Sequence, residues 1–180
     1  MKNFFTLIEL IVVIAIIAVL AAIIAPNAFR AIEKAKISKT VADMKAVKAA
    51  SSAYYADVGR WPWNGAVYPP VGEWVPNRGL GFVTNDGAVG WDGPYLEKWP
   101  TASWSGKNME FLYFYYLSDW DGDGDLVSHF MSIRTPPGGD SSALPMPVMQ
   151  KIDEILDDGN LSTGKIQLYG GFYFDYCVVR

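Results

Sequence analysis

Residues 4–25, FFTLIELIVVIAIIAVLAAIIA, set the terms on which the rest of this chain is read. The run is apolar throughout except for Thr6 and a single carboxylate, Glu9. About 20 residues rising about 1.5 Å each cross the hydrocarbon core of a bilayer, so this length predicts a spanning helix. A charged side chain inside such a segment costs on the order of 2.5–3.5 kcal/mol on insertion scales. A simple anchor gains nothing from that cost, which makes Glu9 a functional candidate in need of a partner. A secretory signal peptide fits badly. Its apolar core is about 7–15 residues long and ends in an A-x-A cleavage site. Here the run is longer, only Lys2 precedes it, and no A-x-A stands near Pro26. A plain single-pass anchor with Glu9 near the interface is the simplest alternative.

Phe5-Thr6-Leu7-Ile8-Glu9-Leu10-Ile11-Val12-Val13-Ile14 resembles the start of a mature type IV pilin or type II secretion pseudopilin. In that family a prepilin peptidase cuts before the Phe and methylates its new amino group. The resemblance therefore implies processing at Phe4 and Phe5, with residues 1–4 a short leader and Glu9 the fifth residue of the mature chain. Where the family usually has Gly before the cut, this chain has Phe4. Pro26 falls where the family commonly carries a helix-softening proline. The similarity is specific over residues 5–35. It continues more weakly through Tyr54-Tyr55-Ala56-Asp57-Val58-Gly59-Arg60-Trp61-Pro62, which looks like the helix end and turn of major pseudopilins.

The resemblance implies that apolar helices of many copies bundle into a filament core. There a lone carboxylate is severely desolvated unless paired, and the amino terminus of a neighbouring Phe5 would neutralise Glu9. Such a pair fixes register between subunits more than it adds net stability. Phe5, Glu9 and Pro26 are thus the expected assembly residues. Orientation is contested by the charges. Lys2 and the amino terminus stand against Arg30, Lys34, Lys36 and Lys39, so the positive-inside rule alone would put the later residues in the cytoplasm. The family places them outside the inner membrane, first anchored in it and then in a periplasmic or cell-surface filament. The more specific motif is followed here.

Residues 27–58 read as an amphipathic helix. Ile37, Val41, Met44, Val47 and Tyr54 recur at helical spacing and mark one apolar face. Pro26 has no amide hydrogen and is expected to break or loosen the helix locally, and Gly59 to end it. About 150 residues follow the span, enough for a head with a real core. Residues 59–108 are crowded with Gly, Pro, Asn and Trp and read as a long loop region with at most one short element. Trp61, Trp63, Trp74, Trp91, Trp99 and Trp104 fall there. Packing or subunit contact accounts for them better than stacking on a ligand.

The clearest strand signals follow at residues 111–117 and 126–133, both β-branched or aromatic. Between them stands Asp119-Trp120-Asp121-Gly122-Asp123-Gly124-Asp125. Carboxylates at alternate positions offer hard oxygen ligands, so Asp119, Asp121, Asp123 and Asp125 are the expected calcium ligands. The twelfth position of an EF-hand loop is filled here by Phe130 and a strand follows, so this is not an EF-hand. A solvated acidic turn is the bland alternative. Major pseudopilins resemble this chain in using a calcium site in their C-terminal loop region. Residues 148–157 read as a helix, with Met149, Ile152, Ile155 and Leu156 on one side. Residues 165–169 and 172–179 read as a hairpin joined at Gly170-Gly171.

A net charge of −4 and a pI near 4.9 give no electrostatic footprint for nucleic acid. Cys177 is the sole cysteine, so no intramolecular disulfide forms. Many type IV pilins carry such a disulfide, which tilts the resemblance toward a pseudopilin. His129 is the one histidine, and there is no GxSxG, P-loop, HExxH or CxxC. No enzyme is expected. The reading is an α+β pilin-like chain: leader 1–4, core helix 5–26, amphipathic helix 27–58 and head 59–180. Its expected partners are further copies of itself, the membrane, prepilin peptidase and a secretion or pilus assembly machinery. A type II secretion pseudopilus subunit is the first expectation. A type IV pilin for adhesion, motility or DNA uptake comes next, and a membrane-anchored binding module is the reading from a different class.

Overall fold

The computed structural model describes residues 6–62, 79–104, 107–116, 128–134, 144–169 and 173–179. Helix α1 runs from Leu7 to Val58, followed by β1 (Thr101–Trp104), β2 (Lys107–Tyr116), β3 (Ser128–Arg134), α2 (Met146–Leu156), β4 (Ile166–Tyr169) and β5 (Tyr173–Val179). The chain divides into two compact units, residues 1–38 and 39–180.

The first unit contains the apolar part of α1. Its Leu, Ile and Val side chains from Leu7 to Ile24 are all exposed, and this is the one helix among the described residues long and apolar enough to cross a membrane. Pro26 lies inside the helix, which continues unbroken on both sides. Of the break or loosening expected there, the helix shows no break. Proline removes one backbone donor, but the flanking Ala, Ile and Arg residues favour helix. Asn27 Nδ2 also donates to the Ile23 carbonyl at 3.5 Å, adding a donor near the gap.

The second unit is an α+β head. Its strands form one antiparallel sheet in the order β1-β2-β3-β5-β4, so the connection from β3 through α2 to β4 passes over β5. Tyr113, Met131, Tyr176 and Ile166 occupy one cross-strand row, with Phe111, Ile133, Phe174 and Leu168 in the next. All but Leu168 are buried on this face. The C-terminal part of α1 covers it: Lys48 Nζ reaches the Tyr176 hydroxyl at 3.5 Å, and Lys39 Nζ donates to the Thr101 carbonyl at 3.2 Å. Of the face read from helical spacing, Val41, Met44, Val47 and Tyr54 are buried in this unit, and Ile37 in the first unit is buried as well. The other sheet face buries Phe130, Ser132, Asp175 and Cys177, as suits central strands covered on both sides.

Gly59 ends α1 as expected: at φ 73° its N–H donates to the Tyr55 carbonyl at 2.8 Å. The expected hairpin is present as the antiparallel pair β4–β5, although Gly170 and Gly171 lie outside the described residues. β2 begins four residues earlier than its aromatic run suggested, because Lys107–Glu110 pairs with β1. In α2, Ile155 is exposed and Asp153 is fully buried, the reverse of the apolar side expected there. The buried stripe passes through Val148, Met149, Ile152 and Asp153. A helix whose packed face is rotated by part of a turn cannot be told from its neighbour by spacing alone.

Candidate functional site

The first described feature of α1 is its N-terminal cap. Thr6 Oγ1 accepts a hydrogen bond from the Glu9 N–H at 3.3 Å, while Glu9 Oε2 accepts from the Thr6 N–H at 2.8 Å and from its hydroxyl at 2.6 Å. This is a reciprocal capping box, in which two donors that a helix start leaves unpaired satisfy each other's residue. Among the described residues the second oxygen, Oε1, accepts no hydrogen bond. Exposed Ile8, Val12 and Val13 surround the carboxylate. Glu9 is therefore oriented through one oxygen, and among the described residues the other is left without a donor. Thr6 was the residue missed: its spacing from Glu9 is the T-x-x-E signature of a capped start, legible in the sequence. Pro26 lies about 25 Å further along the helix, so it does not share this site. Phe4 and Phe5 lie outside the described residues, as do Asp119, Asp121, Asp123 and Asp125.

At the other end of α1 a polar cluster fastens the chain that follows. Asp86 accepts from the Tyr54 hydroxyl at 2.6 Å, from Arg60 Nη2 at 3.2 Å and from the Ala88 N–H at 3.1 Å. Burial, the largest single effect, pushes the Asp86 carboxyl up, but hydrogen bonds from Tyr54, Ala88 and Arg60 together with the Arg60 charge outweigh it and hold the carboxyl below its usual range. Burial and the Asp86 carboxylate push the Tyr54 phenol far up. Tyr95 donates to Asp57 at 2.8 Å, and Gly90 lies so close to the Asp57 carbonyl that a Cβ there would sit 2.6 Å from the oxygen. Phe82, fully buried, is flanked by Trp99 and Tyr113 at ring separations of 5.2 and 5.0 Å. Trp91 donates to the Gly81 carbonyl and Trp99 to that of Phe111, while Trp61 stacks on Tyr55. Trp104 is buried. These four indoles serve packing, and Trp63 and Trp74 lie outside the described residues. These bonds join Tyr54, Asp57 and Arg60 to Asp86 and Tyr95, so the cluster fastens the segment after α1 to the end of the helix.

His129 sits in β3 against Tyr113 and Trp61, with ring separations of 5.8 and 5.7 Å, and burial holds its imidazole down at about 4. It is a neutral packed side chain near pH 7. Asp153 is raised to about 6 by burial first and then by the charges of Asp158, Asp157 and Glu154.

Residues 31–113, a little under half of the chain, match a family model described as PilW, C-terminal. No curated protein and no solved structure matches the chain. The matched stretch starts well after the motif at residues 5–14, so the two lines of similarity rest on different residues. The match supports a pilus-related protein.

Proposed function

We propose that this chain is a structural subunit that polymerises through the apolar half of α1 into a pilus-like filament. The observation that carries the reading is an exposed apolar helix bearing one carboxylate, of which one oxygen is fixed by Thr6 and the other accepts no hydrogen bond among the described residues. Exposed apolar side chains of this size gain roughly 1.5–3 kcal/mol each on burial. Such a stripe therefore resides in lipid before assembly and against other helices after it. In a helix bundle that other oxygen of Glu9 meets a cation, and the freed amine of a neighbouring Phe5 has the required charge. Prepilin peptidase would produce that amine by cutting after Phe4. The head then lies outside the cytoplasm and forms the filament surface.

Two filament classes use this design. The lack of a second cysteine and the acidic residues 119–125, read as a calcium loop, support a type II secretion pseudopilus for protein export. The match to the PilW model supports the type IV pilus side, with pilus assembly machinery as partner. The location of native fibres separates the two.

Glu9→Ala in cells tests the assembly role: membrane insertion persists and filaments are lost or greatly shortened. Filaments of normal number and length in that variant would remove Glu9 from assembly. Mass spectrometry of the mature protein should find a methylated Phe5 at the amino terminus, and an intact Met1 would exclude processing at this bond.

A further inference from the structure

The last turn of α2 and the loop after it gather carboxylates without a basic residue in that turn. Asp153, Asp157 and Asp158 each offer one oxygen, and the three oxygens lie within 4.8 Å of one another. Asp153 is the member that cannot be explained as surface charge. It is fully buried on the face of α2 that buries Met149 and Ile152, and neither of its oxygens accepts a hydrogen bond among the described residues. A buried carboxylate is normally paired or coordinates a metal.

The other two carboxylates are held in place by their surroundings. Asp157 Oδ2 accepts from the Lys165 N–H and from the Ile166 N–H, the latter at 3.0 Å. Asp158 accepts from the Asn160 N–H and from the Thr163 hydroxyl, each at 2.8 Å. Gly164, at φ 76°, leaves room for Asp157, whose carboxylate a Cβ at that position would strike. The C-terminal end of a helix also carries partial negative charge, which favours a cation.

We infer that Asp153, Asp157 and Asp158 together bind one calcium ion. The ligand set is purely carboxylate oxygen, which suits a hard cation over zinc or copper. Oxygens on one calcium ion, bound at about 2.3–2.6 Å, are at most about 5 Å apart, and these three meet that limit. Asp153 is sealed from solvent, so the ion must shed water to reach it. Magnesium dehydrates reluctantly, whereas calcium accepts six to eight oxygens in flexible geometry. Asp158 is exposed and leaves a side open to water for the remaining positions. The site is separate in sequence from residues 119–125 and does not depend on the filament reading.

The test is calcium binding by the full chain in detergent micelles, followed by equilibrium dialysis and thermal unfolding. In an Asp121→Ala background, which disables the other acidic loop, one calcium ion remains bound and raises the unfolding temperature. Adding Asp153→Asn or Asp158→Asn weakens that binding at least tenfold. Asp158 is at the surface, so its variant folds even where Asp153→Asn does not. The same loss of one ion is expected from Asp158→Asn in the otherwise unchanged chain. Unchanged calcium affinity in Asp158→Asn, no calcium bound in the Asp121→Ala background, or equal displacement by equimolar magnesium would each overturn the inference.

Discussion

Asp86 shows how much a single side chain can fasten. It accepts hydrogen bonds from Tyr54, Arg60 and Ala88 while almost wholly buried. Asp86→Ala leaves the buried Tyr54 hydroxyl without its acceptor, a loss on the order of 1–3 kcal/mol. Urea unfolding should show it, and Tyr54→Phe in the same background should recover part of it. His129 makes a prediction about pH. Its imidazole is held at about 4 in the fold, against 6.5 in an unfolded chain. As pH falls through 6.5 the unfolded state takes up a proton that the native state refuses. Stability therefore drops between about pH 6.5 and pH 4 and levels off below, by on the order of 3 kcal/mol from this group. Tyr113 and Trp61 are the rings packed against it. His129→Gln should flatten the dependence measured by urea unfolding at pH 7 and 4.5, and an identical slope in the variant would place the effect elsewhere.

At the scale of elements, α1 reconciles two demands. From Leu7 to Ile24 it is exposed and, except for Glu9, apolar, and further on Val41, Met44, Val47 and Tyr54 are buried on one face. Pro26 stands between them without ending the helix. Pro26→Ala restores an amide donor and adds up to about 3 kcal/mol of local helix stability. Hydrogen exchange in micelles should slow for residues near 26, and unaltered exchange would show that the proline does not weaken the helix there. In α2, Ile152 is fully buried and takes the centre of the packed stripe. Ile152→Ala should cost about 2–5 kcal/mol in unfolding measurements, whereas Ile155→Ala, at an exposed position, should change little.

The whole molecule is two compact units of unlike surface. Residues 39–180 hold their own core, centred on Met44, Val47, Tyr54, Phe111, Tyr113, Met131, Ile133 and Phe174. A fragment comprising residues 28–180 should fold in water without detergent and unfold cooperatively. A non-cooperative transition would show that the apolar half of α1 is needed for the head to fold. The Leu, Ile and Val side chains from Leu7 to Ile24 are exposed, so the full chain is expected to need detergent or lipid to stay dispersed.

The sequence by itself determined the apolar helix, the packed face of its second half, the Gly59 stop and the strand-rich C-terminal region. Each depends on periodicity or on one residue's backbone freedom, and both are local. Thr6 was equally local, since a T-x-x-E spacing suffices to write a capping box. Only the tertiary structure decided that Phe82 and four tryptophans organise what reads as loop, that Asp86 ties it to Tyr54, and that α2 buries Asp153 where Ile155 had the better claim. These depend on which distant surfaces meet. A carboxylate becomes a buried, unpaired group through the packing of its helix, and nothing in the residues beside it announces that.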